Sequence, residues 1–222
     1  MVRKGKTGHI SRALEGRFGK PAWQGPRDPL DSLIKTILSQ NTNDHNRDRA
    51  YESLRERYPT WEKVLRAKTE EIAEAIKVGG LANQKSARIK AILAWLKKEY
   101  GRLALDPICS MDFDQALATY GHLKGIGVKT LAVVLMFACG QDVFPVDTHV
   151  HRICGRLGLV PAKATADKTF YMMRDQIPRG KVYSLHMNML ALGRQICHPG
   201  NPRCDACPVF KHCQFGQERT RL

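Results

Sequence analysis

Four cysteines near the end of the sequence form its densest group of possible metal ligands. They are separated by six, two and five residues in CHPGNPRCDACPVFKHC and comprise Cys197, Cys204, Cys207 and Cys213. Thiolates grouped in this way form disulfides, bind zinc, or hold an iron–sulfur cluster. Zinc sites favour paired C-x-x-C knuckles, whereas only Cys204 and Cys207 form one here. The spacing alone leaves zinc and iron comparable.

A lysine and an aspartate in the middle of the chain have types suited to covalent catalysis. Lys129 falls in the first turn of a predicted helix in LKGIGVKTLAVVL, where the helix dipole and apolar neighbours lower the pKa of an amine. A partly neutral amine can attack a carbon that forms an imine. Asp147 follows eighteen residues later in VDTHVHRIC. Local sequence favours a helix N-cap for Asp147, and a cap can still act as a catalytic carboxylate because the backbone occupies only one oxygen.

Two glycines precede the lysine, between two predicted helices. Gly125 and Gly127 permit a tight turn, and their N–H groups lie just before a helix N-terminus. Such amides can hold an anionic oxygen. Taken alone, the G-x-G pattern favours an ordinary turn in a helical hairpin.

Composition indicates the class of partner. The chain has 222 residues, with 36 Lys and Arg against 21 Asp and Glu, and a net charge of +15. This excess favours nucleic acid as the polyanionic partner. No apolar run approaches the ~18 residues that span a bilayer, and the basic start, MVRKGKTGHISRALEGRFGK, is predicted to be a short arm rather than a secretion signal. We therefore expect a cytoplasmic monomer, in which seven cysteines favour a metal over disulfides.

Helical periodicity runs through nearly the whole sequence and predicts an all-α protein of about ten helices. The segment 129–139 is apolar on nearly every side, so we expect it to lie in the core. Predicted N-caps are Asp31, Thr60, Thr69, Asp112, Asp147 and Thr165. The remaining cysteines fall on helical or apolar stretches and are predicted to be core residues: Cys109, Cys139 and Cys154.

Taken in order, these segments resemble the DNA glycosylase superfamily that carries a helix-hairpin-helix, a Gly/Pro-rich loop and an aspartate. The resemblance lies in LKGIGVKTLAVVL and PVDTHVHRICGRLGL, supported by ILSQNTND and GGLANQKSARIKAI, and the cysteine spacing is similar to that of the endonuclease III branch. It implies two helical lobes with a DNA groove between them. Residues 24–141 would form a helical barrel with the hairpin, and 1–23 with 142–222 a lobe holding the iron–sulfur cluster.

The resemblance also implies an activity, that of a bifunctional DNA glycosylase and AP lyase of base excision repair. Its partner would be double-stranded DNA with damaged bases or abasic sites, and the protein would be associated with the nucleoid through that DNA. Lys129 would attack the sugar C1′, and β-elimination would cut the strand on the 3′ side. Asp147 would assist deprotonation of the lysine and stabilise the cationic sugar, while Gly125 and Gly127 would hold a phosphate through their amides.

Two further residues gain a role from the resemblance. Gln40 in SQNT and Leu81 in GGLAN match residues that fill the space left by a flipped nucleotide. Without the family, a polar residue at a helix end and a core leucine would be the simpler interpretations. Ala82 stands where the family often has Tyr, and QNTND is not its commonest loop. Oxidised pyrimidines are the expected substrates, and a 4Fe–4S cluster is the expected occupant of the four cysteines.

Two other functions compete with this interpretation. The first is a mismatch-specific thymine or uracil DNA glycosylase of the same superfamily. Such relatives usually carry a residue other than lysine at position 129, so Lys129 argues against it. The second is a non-catalytic protein that binds DNA structures, with a zinc-stapled tail. The combination of Lys129 with Asp147 argues against that hypothesis.

Overall fold

The computed structural model describes residues 5–219, and the regular structure in this range is entirely helical. The prediction of an all-α protein is confirmed. None of the described helices is long and apolar enough to cross a membrane. The α-helices of the described range are α1 (Lys6–Phe18), α2 (Pro29–Leu38), α3 (Asp44–Arg57), α4 (Trp61–Arg66), α5 (Thr69–Ala75), α6 (Ala82–Tyr100), α7 (Phe113–Tyr120), α8 (Val128–Phe137), α9 (Thr148–Arg156), α10 (Ala166–Arg174), α11 (Val182–Gln195) and α12 (Gln214–Arg219). Short 3₁₀ helices occupy Lys77–Gly79, Asp106–Ser110, Cys204–Ala206 and Phe210–His212.

The chain divides into two compact units. One is the continuous segment Gly25–Cys139, and the other combines Met1–Gln24 with Gly140–Leu222. The lobes predicted from the sequence, 24–141 and 1–23 with 142–222, include residues 1–4 and 220–222, which lie outside the described residues.

In the unit Gly25–Cys139, helix α8 packs against α2 and α7. The side chains of Leu131 and Leu135 on α8 are buried, as are Leu33 and Ile37 on α2. Each such aliphatic side chain contributes about 1.5–3 kcal/mol to folding when it leaves water. The prediction that this apolar helix lies in the core is confirmed. The core therefore fixes the position of α8, which directly follows the glycines Gly125 and Gly127.

In the other unit, helix α1 packs against α11. Ile10 and Leu14 are fully buried, and the Glu15 carboxylate accepts hydrogen bonds from Lys181 Nζ (2.9 Å) and Ser184 Oγ (2.8 Å). The expected short basic arm is therefore wrong for Lys6–Phe18, which is a docked helix. Its apolar positions, spaced four residues apart, are the reason, since they bury one face of the helix.

Four predicted N-caps are confirmed, because the side chains of Thr60, Asp112, Asp147 and Thr165 accept a hydrogen bond from the backbone of their own helices. The caps predicted at Asp31 and Thr69 are wrong. Helix α2 begins one turn earlier, where Asp28 accepts from the Leu30 and Asp31 amides. Proline favours the first helical position, so Pro29 moves the start ahead of Asp31. Helix α5 begins at Thr69 itself, after Lys68.

The three cysteines predicted to lie in the core differ from one another. Cys109 and Cys139 form a disulfide with their Cα atoms 5.1 Å apart, and neither is buried. The prediction is wrong for this pair because α8 ends at Phe137, before Cys139, and because Ile108 takes the inward position beside Cys109. It is confirmed for Cys154, which is fully buried.

Candidate functional site

The glycine hairpin joins α7 to α8 through residues 121–127. Gly125 has a left-handed backbone (φ 94°), and a Cβ there would lie 2.9 Å from Arg88 Cδ, so both conformation and space require glycine. Gly127 is exposed and precedes the first residue of α8, and a Cβ there would meet no atom within 4 Å. Open space beside the N-terminus of a helix suits the approach of an anionic oxygen.

Lys129 is the second residue of α8 and is half-buried, as expected from the sequence. The helix behind it is held to the hairpin by Thr130 Oγ1, which donates to the Gly125 carbonyl oxygen at 3.1 Å. A cation in the first turn opposes the helix dipole. The structure therefore places Lys129 at the N-terminal end of α8, directly after the hairpin.

Gln40 lies just after α2 and contacts the same hairpin. Its Nε2 donates to the Gly125 carbonyl oxygen at 3.1 Å, and its Oε1 accepts from an Arg88 nitrogen at 2.7 Å. The next residue, Asn41, has a left-handed backbone (φ 53°). The structure therefore brings Gln40 and Gly125 together and adds Arg88 to them.

Leu81 precedes α6 on a left-handed backbone (φ 50°), and 43% of its surface is exposed. It is therefore not a core leucine. This exposed apolar side chain is available to contact another molecule.

A buried cation joins the loops that carry Gln40 and Leu81. Lys85 Nζ donates to the carbonyl oxygens of Leu38 and Gly79, each at 2.7 Å. Burial, together with nearby Arg88, lowers the pKa of Lys85. The sequence interpretation missed Lys85 and Arg88. Lys85 could have been found, since it lies four residues before Ile89 on the apolar face of α6.

Asp147 caps α9, and its Oδ1 accepts from the Val150 amide at 2.8 Å. The loop before it is well anchored because Phe144 and Val146 are buried and the His186 ring bonds to the Pro145 carbonyl oxygen at 3.1 Å. The backbone cap uses one carboxylate oxygen, so the other can serve chemistry. Lys129 and Asp147 belong to different units of the chain.

The four tail cysteines line one pocket together with Arg156, Phe210 and Phe215. Their thiols are free in the structure. Burial, reinforced by the other three thiolates, raises the pKa of Cys207 to about 11, and burial likewise raises the pKa of Cys213. No group of three or more His, Cys, Asp or Glu side chains in residues 5–219 is arranged to hold a metal ion. The fold therefore brings the four thiols to one pocket without arranging them to hold a metal ion.

Helix α9 also holds the cysteine loop. Arg152 donates to the Cys197 carbonyl oxygen at 2.9 Å. One turn later, Arg156 donates to the Cys197 sulfur at 3.2 Å and to the His198 carbonyl oxygen at 2.7 Å. The helix that begins at Asp147 is therefore joined to the tail through two arginines.

Comparisons with known proteins cover nearly all of the chain. Residues 34–179 match the family described as HhH-GPD superfamily base excision DNA repair protein. Endonuclease III of Thermotoga maritima is 34% identical over 212 residues, which are 96% of this chain and 94% of that protein. A putative DNA glycosylase of Arabidopsis thaliana is 40% identical over 168 residues, 76% of this chain but only 57% of the relative's length.

Solved structures show the same relationship. A trapped endonuclease III–DNA covalent intermediate aligns with a TM-score of 0.84 and 27% identity, covering all of both chains. A thermostable thymine-DNA glycosylase aligns with a TM-score of 0.82 over 98% of this chain and all of its own. At 23% identity, the second likeness shows the fold alone.

Proposed function

The chain belongs to the HhH-GPD superfamily of base excision DNA repair proteins, and we propose that it is a bifunctional DNA glycosylase and AP lyase of the endonuclease III type. The observation that carries the proposal is a half-buried lysine, Lys129, in the first turn of the helix that follows an open glycine hairpin. The proposed substrates are double-stranded DNA with oxidised pyrimidines and DNA with abasic sites.

Lys129 is the proposed nucleophile. Its neutral amine attacks C1′ of the damaged nucleotide as the glycosidic bond breaks, and the base leaves with the bonding electron pair. Loss of the amine proton and opening of the sugar give an imine between Nζ and C1′. Removal of a C2′ proton then expels the 3′ phosphate, which is β-elimination on the 3′ side of the site. The dipole of α8 supports this chemistry because it disfavours the protonated amine.

Asp147 is the proposed electrostatic partner. The sugar gains positive charge as the base departs, and a fixed carboxylate stabilises that charge most where water is excluded. The cap to Val150 fixes the carboxylate, and the buried loop before it limits its motion. The same carboxylate can assist deprotonation of Lys129. The half-buried position of Asp147 supports this role.

The hairpin and two loops are the proposed DNA contacts. The amides at Gly125 and Gly127 would hold a backbone phosphate, a contact that positions DNA without reading its sequence. Gln40 and Leu81 would fill the space left by the flipped nucleotide. The exposure of Leu81 supports this role. Binding to chromosomal DNA would place a monomer at the nucleoid, in the cytoplasm.

A 4Fe–4S cluster is the proposed occupant of the cysteine pocket, held by Cys197, Cys204, Cys207 and Cys213. The four thiols that line one pocket are the type of ligand such a cluster takes, and an arginine N–H directed at the Cys197 sulfur would stabilise a ligating thiolate. When bound, the cluster would cross-link the tail and shape a basic loop that includes Arg203 and Lys211. No step of the proposed reaction passes through it.

Borohydride trapping tests the proposed function. Wild-type protein is incubated with a duplex that bears one abasic site, and borohydride is added to reduce any imine to a stable amine. The expected result is a covalent protein–DNA adduct together with strand cleavage in unreduced samples. Protein that binds this duplex yet forms no adduct would contradict the lyase assignment.

A further inference from the structure

We infer that Arg88 is a positioning residue that sets which way the Gln40 amide faces, and through it the preference for the base opposite the lesion. The inference rests on the proposed function, because it needs Gln40 to meet DNA. It begins from one contact, in which an Arg88 nitrogen donates to Gln40 Oε1 at 2.7 Å.

A side-chain amide can usually rotate by half a turn at little cost, because its oxygen and nitrogen ends have similar size. Gln40 cannot do so without losing two hydrogen bonds. A guanidinium only donates and a carbonyl only accepts, so Oε1 must face Arg88 while Nε2 faces the Gly125 carbonyl oxygen. A rotated amide would set N–H groups against the guanidinium and oxygen against oxygen. Arg88 and Gly125 therefore select one orientation.

The selected orientation leaves a defined edge for a partner. Gly125 and Arg88 use one N–H of Nε2 and one lone pair of Oε1, so one donor and one acceptor of the amide remain for a partner. Base edges present donors and acceptors in an order that differs between bases. An amide held in one orientation can match one order better than the other. An amide free to rotate would match both.

Arg88 is itself well placed to hold Gln40. Its stem crosses the hairpin where Gly125 has no side chain, since a Cβ there would lie 2.9 Å from Arg88 Cδ. Arg88 is half-buried, and a hydrogen bond from a charged group in such surroundings is stronger than one between neutral groups. One turn earlier on α6, Lys85 donates to the Leu38 carbonyl oxygen. Lys85 thus fixes the main chain near Gln40, and Arg88 fixes its side chain.

The test measures strand cleavage at an abasic site placed opposite each of the four bases in otherwise identical duplexes. The variant Arg88→Met keeps the stem and removes the donors. The ratio between the fastest and slowest of the four rates should fall by about 5-fold or more, the scale expected for a lost charged hydrogen bond. Lys98→Met is the matched control, because it removes one cation from the exposed far end of α6 and should leave the ratio unchanged.

A double-mutant cycle separates positioning from a general effect on DNA binding. If Arg88 acts through Gln40, Arg88→Met should change the ratio no further once Gln40→Ala is present. If Arg88→Met changes the ratio equally in the wild type and in Gln40→Ala, the inference is overturned. It is also overturned if the ratio is unchanged in Arg88→Met, or if the wild-type rate is the same opposite all four bases. If Arg88→Met does not fold, Arg88→Gln replaces it, since a glutamine amide can both donate and accept and so selects neither orientation of Gln40. An unchanged ratio in that variant overturns the inference equally.

The two proposals fail in different ways. A wild type that neither cleaves nor is trapped on any of the four duplexes overturns the proposed function and the role of Arg88 with it. A wild type that cleaves with a clear preference, beside an Arg88→Met variant with the same preference, overturns only the role of Arg88.

Discussion

The Asp147 carboxylate oxygen Oδ1 lies 2.8 Å from the Val150 amide, so the proposed catalytic carboxylate is also the N-cap of α9. Because α9 holds the cysteine loop through Arg152 and Arg156, the loss of this cap would disturb more than one helix turn. A test of Asp147 must therefore separate chemistry from stability.

Replacing Asp147 with asparagine should separate them. Asparagine caps a helix about as well as aspartate, so the melting temperature should stay close to that of the wild type. Base excision should fall by about 10²-fold or more, because a fixed negative charge is removed from the developing cation. Asp147→Ala is the control, and it should lose both stability and excision. Near-normal excision by the Asp147→Asn protein would mean that Asp147 is a cap only.

Replacing Lys129 with glutamine should abolish strand cleavage and borohydride trapping, because no amine remains to attack C1′. Binding to abasic DNA, measured by fluorescence anisotropy, should persist, since the hairpin amides and the basic surface are untouched. The matched control is Lys124→Gln, which removes an exposed lysine from the hairpin and should still be trapped. Covalent adducts formed by the Lys129→Gln protein would assign the nucleophile to another residue.

The metal content of the tail is a separate prediction. Protein purified without chelators should be yellow-brown, with broad absorbance near ~400 nm and iron in the metal analysis, as for thiolate-bound iron. Cys204→Ser should lose this absorbance and unfold the tail, because ligation and folding are coupled. Cys154→Ser, at the buried cysteine outside the tail, should keep the absorbance. Stoichiometric zinc in place of iron would contradict the cluster.

The hydrogen bonds of Glu15 with Lys181 and Ser184 predict that the stability of the folded protein falls as the pH is lowered. Burial of Glu15 opposes its ionisation, but the hydrogen bonds outweigh burial and lower its pKa below the usual 4.5. A lowered pKa in the folded state means that this stabilisation is present above about pH 4.5 and is lost as the pH falls through the folded value. Glu15→Gln should therefore be less stable by roughly 1–3 kcal/mol near neutral pH, a range typical of charged hydrogen bonds.

Urea unfolding of both proteins across this pH range checks the prediction. The difference between wild type and Glu15→Gln should shrink towards zero in acid. Glu70→Gln, at an exposed glutamate in α5, should show little difference at any pH. A difference for Glu15→Gln that does not change with pH would mean that its ionisation does not contribute.

Local features of the sequence predicted much of the molecule. The N-caps at Thr60, Asp112 and Thr165 are visible because the capping side chain and its helix are adjacent in sequence. The apolar α8 is visible because its composition leaves no polar face. The hairpin glycines and tail cysteines are likewise short-range patterns.

The features that the sequence did not predict are contacts between residues that lie far apart in the chain. The docking of α1 requires α11, which lies at the other end of the sequence, so Glu15 looks like an ordinary surface residue. Arg88 contacts Gln40, which lies 48 residues earlier in the chain. The bond between Cys109 and Cys139 spans 30 residues and has no local signature. Pairings of this kind follow from tertiary packing, which periodicity does not specify.

The docking of α1 against α11 has a consequence for synthesis on the ribosome. The segment Gly25–Cys139 forms one compact unit by itself, and it is synthesised before α11. Helix α1 emerges before that segment, but Ile10 and Leu14 cannot be buried until α11 has been made. At ordinary rates of elongation the wait is on the order of 10 s. During that time the apolar face of α1 lacks its partner, and only the synthesis of α11 provides the surface that buries it.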